Sequence, residues 1–369
     1  MKIVGVKTYI MNAGDKNWIF VKIITDEGIH GWGEGSLEGQ EKTVEKAIQV
    51  FGERIINEDP RRIERLWQIL YRHGFWRGGI ILNSALSAID IALWDILGKT
   101  LNCPIYQLFG GPIRTKIRAY THVKDAKHAV KMKATGFTAL KAGGWPGLNY
   151  HIWNENDLRN HIVSIKNELG PRIDLMFDNH GISRPSQATR QMHAIDDLEL
   201  LWFEEPTPPD NLDALAKLRG EKFKTDIATG ERLFTRWGFK ELIERQLADI
   251  IQPDVIHCGG LSEIRRIAAM AETYYIPLAP HNPKGPIATA ASLHLCSSIP
   301  NFLILEYLQS SPWYDRVQKE PLKVNSGYFE LPSKPGLGVE LDEAVILSRP
   351  YKSLSYKGTF YDDGGVADV

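Results

Sequence analysis

Cysteine is scarce in this chain of 369 residues. Its three cysteines, Cys103, Cys258 and Cys296, are odd in number, widely spaced and without a C-x-x-C pair. Disulfide frameworks and structural zinc sites both use paired cysteines, so we expect neither. The pattern predicts reduced thiols in the core of a cytoplasmic protein.

Long apolar runs and an excess of charge are also missing. No apolar run reaches the roughly 20 residues of a membrane helix, and the N-terminal strand-like stretch is interrupted by Lys7 without a cleavage site. The formal net charge of −1 provides no overall field that would attract nucleic acid or lipid. Gly259-Gly260 lacks the Lys-Ser/Thr pair of a phosphate-binding loop. We therefore expect a small-molecule partner, with neither nucleic acid nor a membrane.

Residues 1–115 have the pattern of an α+β domain. The stretches KIVGVKTYIM and WIFVKIITDEG alternate like antiparallel strands, and helical patterns follow. One of these helices, ILNSALSAIDIALWDILGKT, is apolar nearly all round and should be well buried. Since the chain is longer than a single core supports, we expect about two domains. Residues 321–369, rich in Gly and Pro, are predicted to return to the first domain and complete it as a cap.

Residues 116–320 alternate between strand and helix patterns, which predicts a parallel β/α barrel and an overall α/β fold. Eight strand ends are expected, near His122, Lys141, Asp178, Glu204, Glu231, Asp254, His281 and Glu306. Five of these, from Asp178 to His281, recur every 23 to 27 residues, the length of one strand with its returning helix. A barrel collects such groups on one rim, where its catalytic residues lie.

Asp178, Glu204 and Glu231 are candidate metal ligands because they are acids at three successive strand ends. Hard carboxylate oxygens suit Mg²⁺, which fills its remaining positions with water or substrate oxygens. The alternative is that each acid caps the helix that follows it. Three acids in succession favour the metal.

Asp254 and His281 occupy the next two strand ends and suggest a general base with its orienting carboxylate. A carboxylate on one imidazole nitrogen fixes the tautomer and raises the basicity of the other nitrogen. A histidine hydrogen-bonded only to loop backbone is the alternative. The spacing favours the pair.

The remaining candidates have more open roles. His180, two residues after Asp178, points to the same side in an extended chain and is a candidate acid. Glu306, the one charged residue in FLILEY, needs a donor, which a substrate could supply. Lys141 could pair with a rim acid or act in catalysis, and His122 could touch substrate. Further substrate contacts, from Trp76 and Arg77 in the loop YRHGFWRGG, compete with simple packing against the barrel.

The motifs DNH, FEEP, GERL, QPD and PHNP, in this order behind an α+β cap, resemble the mandelate racemase-like branch of the enolase superfamily over essentially the whole chain. Two stretches, LWQILYRHGFWRGGIILNSALSAIDIALWDILGK and APHNPKGPIATAASLH, resemble the acid-sugar dehydratases of that branch. Members of the superfamily use a Lys or His base and Mg²⁺ to stabilise an ene-diolate.

The resemblance implies a role for each candidate. Asp178, Glu204 and Glu231 would bind Mg²⁺, and His281, held by Asp254, would remove the proton next to the carboxylate of an aldonate-like sugar acid. His180 would be the acid that assists loss of the β-hydroxyl. Glu306, as a protonated donor, would bind a carboxylate or enolate oxygen. The product would be a 2-keto-3-deoxy acid.

One departure from the branch separates the possible reactions. Racemases of the branch usually have Lys-x-Lys at the second strand, whereas this chain has Lys141-Ala142-Gly143. Without the second lysine we expect a dehydratase, with an epimerase or cycloisomerase as the alternative and a non-catalytic binding protein as a third reading. The following loop, 143–151, matches no specificity that we can assign. A symmetric homo-oligomer is expected because barrel faces commonly associate.

Overall fold

A computed structural model describes residues 1–143, 154–308, 311–354, 360–361 and 363–367. The chain begins with a three-stranded antiparallel sheet in the order β1-β2-β3. Its strands are β1 (Ile3–Asn12), β2 (Asn17–Thr25) and β3 (His30–Glu34). Four helices follow, α1 (Glu41–Glu53), α2 (Ile63–Arg72), α3 (Gly79–Thr100) and α4 (Ile105–Leu108). We call residues 1–110 the cap.

The middle of the chain alternates strand and helix. The strands are β4 (Lys116–Val123), β5 (Ala139–Gly143), β6 (Asp174–Asp178), β7 (Trp202–Glu204), β8 (Asp226–Thr229), β9 (Ile250–Ile251) and β10 (Leu305–Glu306). The helices are α5 (Ala126–Ala134), α6 (Glu155–Leu169), α7 (Pro185–Ile195) with a 3₁₀ turn (Asp196–Leu198), α8 (Leu212–Arg219), α9 (Thr235–Glu244), α10 (Gly260–Glu272) and α11 (Pro286–Ser298).

The strands pair in parallel around a ring. Each strand from β4 to β9 pairs with the next one, and β10 pairs back with β4. Between β9 and β10 the pairing passes through a single residue, Leu278, which bridges Ile251 on one side and Phe302 on the other. The predicted fold, a parallel β/α barrel behind an α+β cap, is confirmed.

The barrel interior is a separate small core with one buried residue from each of the eight strand positions. Its members are Tyr120, Ala139, Met176, Trp202, Ala228, Ile250, Ala279 and Ile304. Large and small side chains are mixed around this layer, so they fill the barrel instead of leaving a pore. The polar rim residues lie directly beyond this layer, toward the carboxyl ends of the strands.

The C-terminal segment contacts both the barrel and the cap. Its elements are α12 (Trp313–Arg316), β11 (Val324–Asn325), β12 (Tyr328–Glu330) and α13 (Glu343–Leu347). The hairpin β11–β12 pairs antiparallel with barrel strand β4. Farther along, Glu340 binds His30 and Lys99 of the cap, and Glu343 binds Tyr9 and Lys22. The boundaries 1–115, 116–320 and 321–369 stay a prediction.

Helix α3 is the central helix of the cap. By length and composition it could cross a membrane, contrary to our expectation from the sequence, yet 72% of the relevant window is buried inside the protein. A buried core helix passes the same test, so the finding is weak evidence for a span. The helix packs directly on β3, because a Cβ on Gly33 would lie 1.8 Å from Ala88 O and one on Gly31 would lie 2.1 Å from Ala92 O.

This close approach predicts the effect of adding one methyl group. Gly33→Ala should lower the free energy of unfolding by at least about 1–3 kcal/mol, since backbone of α3 must move to admit the Cβ. Gly5→Ala is the control, because its Cβ would meet only Ile24 at 3.8 Å, an ordinary contact. Urea unfolding of both variants measures the difference. Equal midpoints would contradict the close packing.

Candidate active site

The rim residues follow from the interior layer by strand geometry. Successive side chains of a strand alternate between its two faces, so a residue two positions beyond the layer points the same way, toward the carboxyl end of the barrel. Six predicted site residues occupy such positions: His122, Lys141, Asp178, Glu204, His281 and Glu306. The register places Asp178 directly beside Glu204 and His122 beside Lys141.

Glu231 and Asp254 lie farther beyond their strands and reach the rim through loops. Glu231 follows Gly230, whose φ of 129° belongs to the left-handed region that favours glycine. Asp254 is buried and accepts a hydrogen bond from the backbone N–H of Ile256 at 2.9 Å. The structure therefore brings all eight predicted strand-end groups to one rim.

Lys141 is the centre of this rim. Its Nζ lies 2.6 Å from Glu204 Oε1, 2.9 Å from Glu306 Oε1 and 3.3 Å from Asp178 Oδ2, with the side chain 2% exposed. Burial disfavours the charged ammonium, but the surrounding carboxylates outweigh burial and hold the pKa of Lys141 well above its usual range. The lysine is thus a fixed positive charge among three acids.

Both carboxylate oxygens of Glu306 have partners. Lys141 and the Nε2 of His122, 2.5 Å away, contact Oε1, and the backbone N–H of Asn282 donates to Oε2 at 2.9 Å. Burial opposes ionisation, but Lys141 and the imidazole of His281 hold the pKa of Glu306 well below its usual value. This corrects our expectation of a protonated donor, since Glu306 is an ionised acceptor and Lys141 is the donor at this point of the rim.

His281 and Asp254 form the predicted pair. His281 Nδ1 lies 2.7 Å from Asp254 Oδ2, and Nε2 faces Glu231 Oε2 at 3.7 Å and Glu306 Oε2 at 3.9 Å. An ionised Asp254 assigns the ring proton to Nδ1 and leaves Nε2 toward the site. Burial lowers the basicity of the imidazole, but the charges of Glu231 and Glu306 and the bond to Asp254 raise the pKa of His281 to about 10.

His180 lies beside Asp178 in a backbone conformation that side chains rarely adopt, with φ at 56°. Its backbone N–H donates to Asp178 Oδ1 at 2.7 Å, and its Nδ1 is 3.7 Å from Asp178 Oδ2. Burial opposes protonation, yet the bond to Asp178 and its charge raise the pKa of His180 to about 8. His180 is therefore protonated at neutral pH, the state that an acid requires.

The donor set on the rim fits a hard divalent cation in its chemistry. Asp178, Glu204 and Glu231 offer carboxylate oxygens from three neighbouring strands, the ligand type that Mg²⁺ prefers. Within the described residues, however, no three acidic, histidine or cysteine side chains are grouped as a ready metal cluster. Both oxygens of Glu204 already have partners, because Lys141 contacts Oε1 and Trp202 Nε1 donates to Oε2 at 2.8 Å.

Three further residues lie at or next to the rim and were not predicted from the sequence. Trp202 donates to Glu204, and Asn282, besides its backbone bond, donates its amide to Glu306 O at 3.0 Å. Gln252 is fully buried two residues beyond the interior layer and its amide has no hydrogen-bond partner in the described part of the chain. The alternation of strand residues could have indicated Trp202 and Gln252, since each shares a face with a layer or rim position.

Trp76 and Arg77 lie on the cap beside a groove of about 350 Å³ lined by α1, α2 and α3. Trp76 is 85% exposed and packs against Phe75, while the Arg77 guanidinium lies 5.3 Å from the Tyr71 ring. None of these contacts, among the residues described, reaches the rim. Their substrate role stays a prediction, and most of the loop 143–151 lies outside the described residues.

Two family models cover nearly the whole chain. Residues 124–345 match the model described as enolase C-terminal domain-like, and residues 3–110 match the N-terminal domain of mandelate racemase and muconate lactonizing enzyme. The chain belongs to the enolase superfamily. The resemblance seen in its motifs is confirmed for both domains.

Curated relatives of this enolase-superfamily member align over their full length. A D-galactonate dehydratase from Cronobacter sakazakii is 39% identical over 385 aligned positions, and one from Ralstonia nicotianae is 37% identical over 387, with all of each chain covered. The prediction of an acid-sugar dehydratase, a carbon–oxygen lyase, is confirmed at the level of enzyme class.

Solved structures agree with the fold. An enolase from Agrobacterium radiobacter, determined with sodium and L-malate bound, has a TM-score of 0.93 and 31% identity, with both chains fully covered. A mandelate racemase/muconate lactonizing enzyme from a Sulfitobacter species has a TM-score of 0.90 and 32% identity, covering 96% of this chain and 97% of its own.

The burial of Lys141 predicts a large effect on stability. Lys141→Met should lower the free energy of unfolding by about 3–5 kcal/mol, because it leaves buried carboxylates without their cation. Lys224→Met is the control: its ion pair with Glu199 is about two-thirds exposed on both sides, so its loss should cost at most about 1 kcal/mol. Urea unfolding at neutral pH compares the two. A smaller loss for Lys141→Met than for Lys224→Met would contradict the assigned role.

Proposed function

We propose that this enzyme dehydrates a sugar acid, an aldonate such as galactonate, to a 2-keto-3-deoxy acid in a Mg²⁺-dependent reaction. The observation that carries the proposal is the placement of His281, whose Nε2 faces the carboxylates of the rim while its Nδ1 is bonded to Asp254. The full-length D-galactonate dehydratase relatives support the substrate class. The structure from Agrobacterium radiobacter contains L-malate, a small hydroxy acid, and this ligand supports a hydroxy acid as the substrate class.

The first step removes the proton next to the substrate carboxylate. That proton is weakly acidic, so its removal requires stabilisation of the negative charge that develops on the carboxylate oxygens. The carboxylates of Glu231 and Glu306 favour the protonated imidazole, so His281 acts as the base only in its neutral form, which a cation held by Glu231 would favour by offsetting the charge of that carboxylate. The Nε2 of neutral His281 accepts the proton, and the C–H electron pair becomes the double bond of the ene-diolate. The Lys141 ammonium adds positive charge near this intermediate, and it donates to one of the oxygens of the intermediate only by giving up one of its three carboxylate contacts.

The metal would be held by Asp178, Glu204 and Glu231. When bound, Mg²⁺ supplies Lewis-acid stabilisation of carboxylate oxygens. For Glu204 to serve as a ligand, one of its oxygens must be available beside its bonds from Lys141 and Trp202. We infer that the positive charge of Lys141 limits the mutual repulsion of the acids while they are gathered on the rim.

The second step expels the hydroxyl at the β carbon. His180, protonated at neutral pH, gives its proton to the departing oxygen, so the C–O bond breaks and water leaves. The electron pair of the ene-diolate forms the new carbon–carbon double bond of an enol. The enol then tautomerises: its β carbon takes up a proton, the enol hydroxyl loses one, and the 2-keto-3-deoxy acid is formed.

An epimerase or cycloisomerase remains the alternative reaction. A second base at position 143 is disfavoured, because Gly143 has a φ of 83° and a Cβ there would lie 2.4 Å from Asp178 O. A lysine at that position would need a different backbone. A homo-oligomer and a cytoplasmic location stay predictions.

Replacing the proposed metal ligands should abolish turnover. We expect Asp178→Asn, Glu204→Gln and Glu231→Gln each to lose product formation by at least about 10³-fold, since each removes a carboxylate where charge must be stabilised. Asp174→Asn, which changes an acid paired with Arg118 at the other end of β6, is the control. Keto-acid formation with added Mg²⁺ is measured, and full activity after exhaustive chelation would sink the metal assignment.

Proton exchange in deuterated water separates the roles of the two histidines. His281→Asn should stop both exchange at the α carbon and dehydration, because it lacks the base. Asp254→Asn should slow both by a smaller factor, since the imidazole survives without its orienting partner. His180→Asn should still exchange the α proton but release little keto acid.

NMR of the substrate pool reads all three variants at once. Dehydration by His180→Asn at the rate of the unsubstituted enzyme would show that His180 is not the acid. If the unsubstituted enzyme yields an epimer without keto acid, the dehydratase proposal itself fails.

A further inference from the structure

The two members of the Asp254–His281 pair stand on segments without regular secondary structure. Residues 252–254 precede a short turn and the start of α10, and residues 281–285 precede α11. The N-cap residues of these two helices are Gly259 and Gly285, which have no side chains to satisfy the free backbone N–H groups. Side chains of the cap accept the hydrogen bonds of these N–H groups instead.

Glu34, the last residue of β3, caps helix α11 from the cap side. Its Oε1 accepts from Gly285 N at 2.8 Å and its Oε2 accepts from Ala288 N at 2.9 Å, with Ser36 Oγ donating to Oε1 at 2.7 Å. Gly285 is the N-cap residue of α11 and Ala288 is its third helical residue. In a capping box, the N-cap side chain accepts from the N–H of the third residue, and the side chain of that third residue accepts from the N–H of the N-cap residue. A Cβ on Gly285 would lie 2.6 Å from Glu34, so only glycine allows this approach.

The segment before α11 has two more ties to the cap. Lys16 Nζ donates to Pro283 O at 3.2 Å, and Lys284 forms a partly buried ion pair with Glu38. Lys16 also lies 3.6 Å from Glu38. Every residue from 283 to 285 is therefore bonded to the cap, directly after His281 and Asn282.

Helix α3 holds the other segment in the same way. Three polar residues, Ser84, Ser87 and Asp90, recur at intervals of three along this helix and so lie on one face. Ser87 Oγ accepts from Gly259 N at 2.9 Å, and Asp90 Oδ2 accepts from Ser262 N at 2.9 Å. These positions on α10 match those that Glu34 binds on α11.

The same face of α3 also contacts the carboxylate of the pair through one intermediate. Ser84 Oγ lies 2.8 Å from His257 Nδ1, and His257 Nε2 lies 3.8 Å from Asp254 Oδ2. A continuous set of contacts thus runs from the cap to Asp254. A second set runs from the cap to the segment that carries His281.

Glu34 and Asp90 are costly groups to bury. Both are fully buried, burial raises the pKa of each to about 7, and neither forms a salt bridge within the part of the chain that is described. Only helix N–H groups and hydroxyls offset the loss of water around them. An apolar contact would join the two domains at lower cost, so joining the domains does not by itself account for these buried acids.

We propose that Glu34 and Asp90 are positioning residues, through which the cap fixes the segments carrying His281 and Asp254 and so sets the geometry of the catalytic pair. The inference rests on the proposed function for its effect on turnover. Its geometric part stands without that function, because it concerns only the bond between His281 and Asp254.

The test compares Glu34→Gln and Asp90→Asn with Asp95→Asn. Asp95 is also a fully buried carboxylate on α3 that accepts two backbone N–H bonds, from Trp32 and Leu337, but it contacts neither segment of the pair. We expect Glu34→Gln and Asp90→Asn to lower kcat at least about ten-fold with KM within about two-fold, since misplacing a catalytic group by about 1 Å costs up to about 10²-fold. Asp95→Asn should lower the midpoint of unfolding and leave kcat within about two-fold.

A second measurement needs no substrate. In protein with ¹⁵N-labelled histidine, the Nδ1 proton of His281 bonded to Asp254 is identified by its loss in His281→Asn. Its resonance should shift or broaden in Glu34→Gln and Asp90→Asn and stay in place in Asp95→Asn. If no sugar acid is turned over by any variant, this signal still decides the positioning role, and the failure belongs to the proposed function.

Two outcomes would overturn the inference. One is an unchanged His281 resonance and kcat in Glu34→Gln and Asp90→Asn; the other is an equal loss in Asp95→Asn, which would show general loosening of the cap. If the carboxylate variants do not fold, Ser87→Ala takes their place, because it removes one hydrogen bond to Gly259 N and leaves both acids. Ser87→Ala should move the same resonance, and an unchanged signal would reject the proposal.

Discussion

The rim of this barrel depends on one buried ammonium group. Four acids lie together at the carboxyl end of the packed barrel interior, where their mutual repulsion is weakly screened by solvent. They are Asp178, Glu204, Glu231 and Glu306. Lys141 contacts three of them and neutralises part of their charge. Without it, the acids would have to take up protons or move toward water. With it, the pKa of Glu306 lies well below its usual value. Burial and the neighbouring carboxylates still raise the pKa of Glu204 to about 8 and raise that of Glu231, so the charge of Lys141 offsets only part of the repulsion.

That balance also assigns the neighbouring groups. Because Lys141 and His122 both contact Glu306, this carboxylate is an acceptor. Burial lowers the pKa of His281, but the carboxylates of Glu231 and Glu306 outweigh burial and raise it. The pKa of a rim group therefore depends on the charges of its neighbours.

The strand pattern alone predicted the barrel and most of the rim. Each rim acid follows an apolar run, and the parallel arrangement then brings the strand ends together whatever the loops do. The state of Glu306 could not be predicted, because it depends on Lys141 and His122, which lie more than 160 residues away in the chain. The hydrogen bonds of Glu34 and Asp90 to helix N-termini could not be predicted either, because the local sequences GWGEG and SAIDIAL do not indicate a partner in another domain.

The interior layer constrains how such a site can change over evolutionary time. Six of the eight rim groups lie two residues beyond a layer residue, so their direction depends on an even count along the strand. Deleting one residue between Trp202 and Glu204, or between Ile304 and Glu306, would turn the carboxylate outward to the helices and leave an apolar face toward substrate. Insertions and deletions are tolerable only past the strand ends, in the loops. New specificities on this barrel are therefore expected to arise by point substitution on the rim and by length changes in the loops.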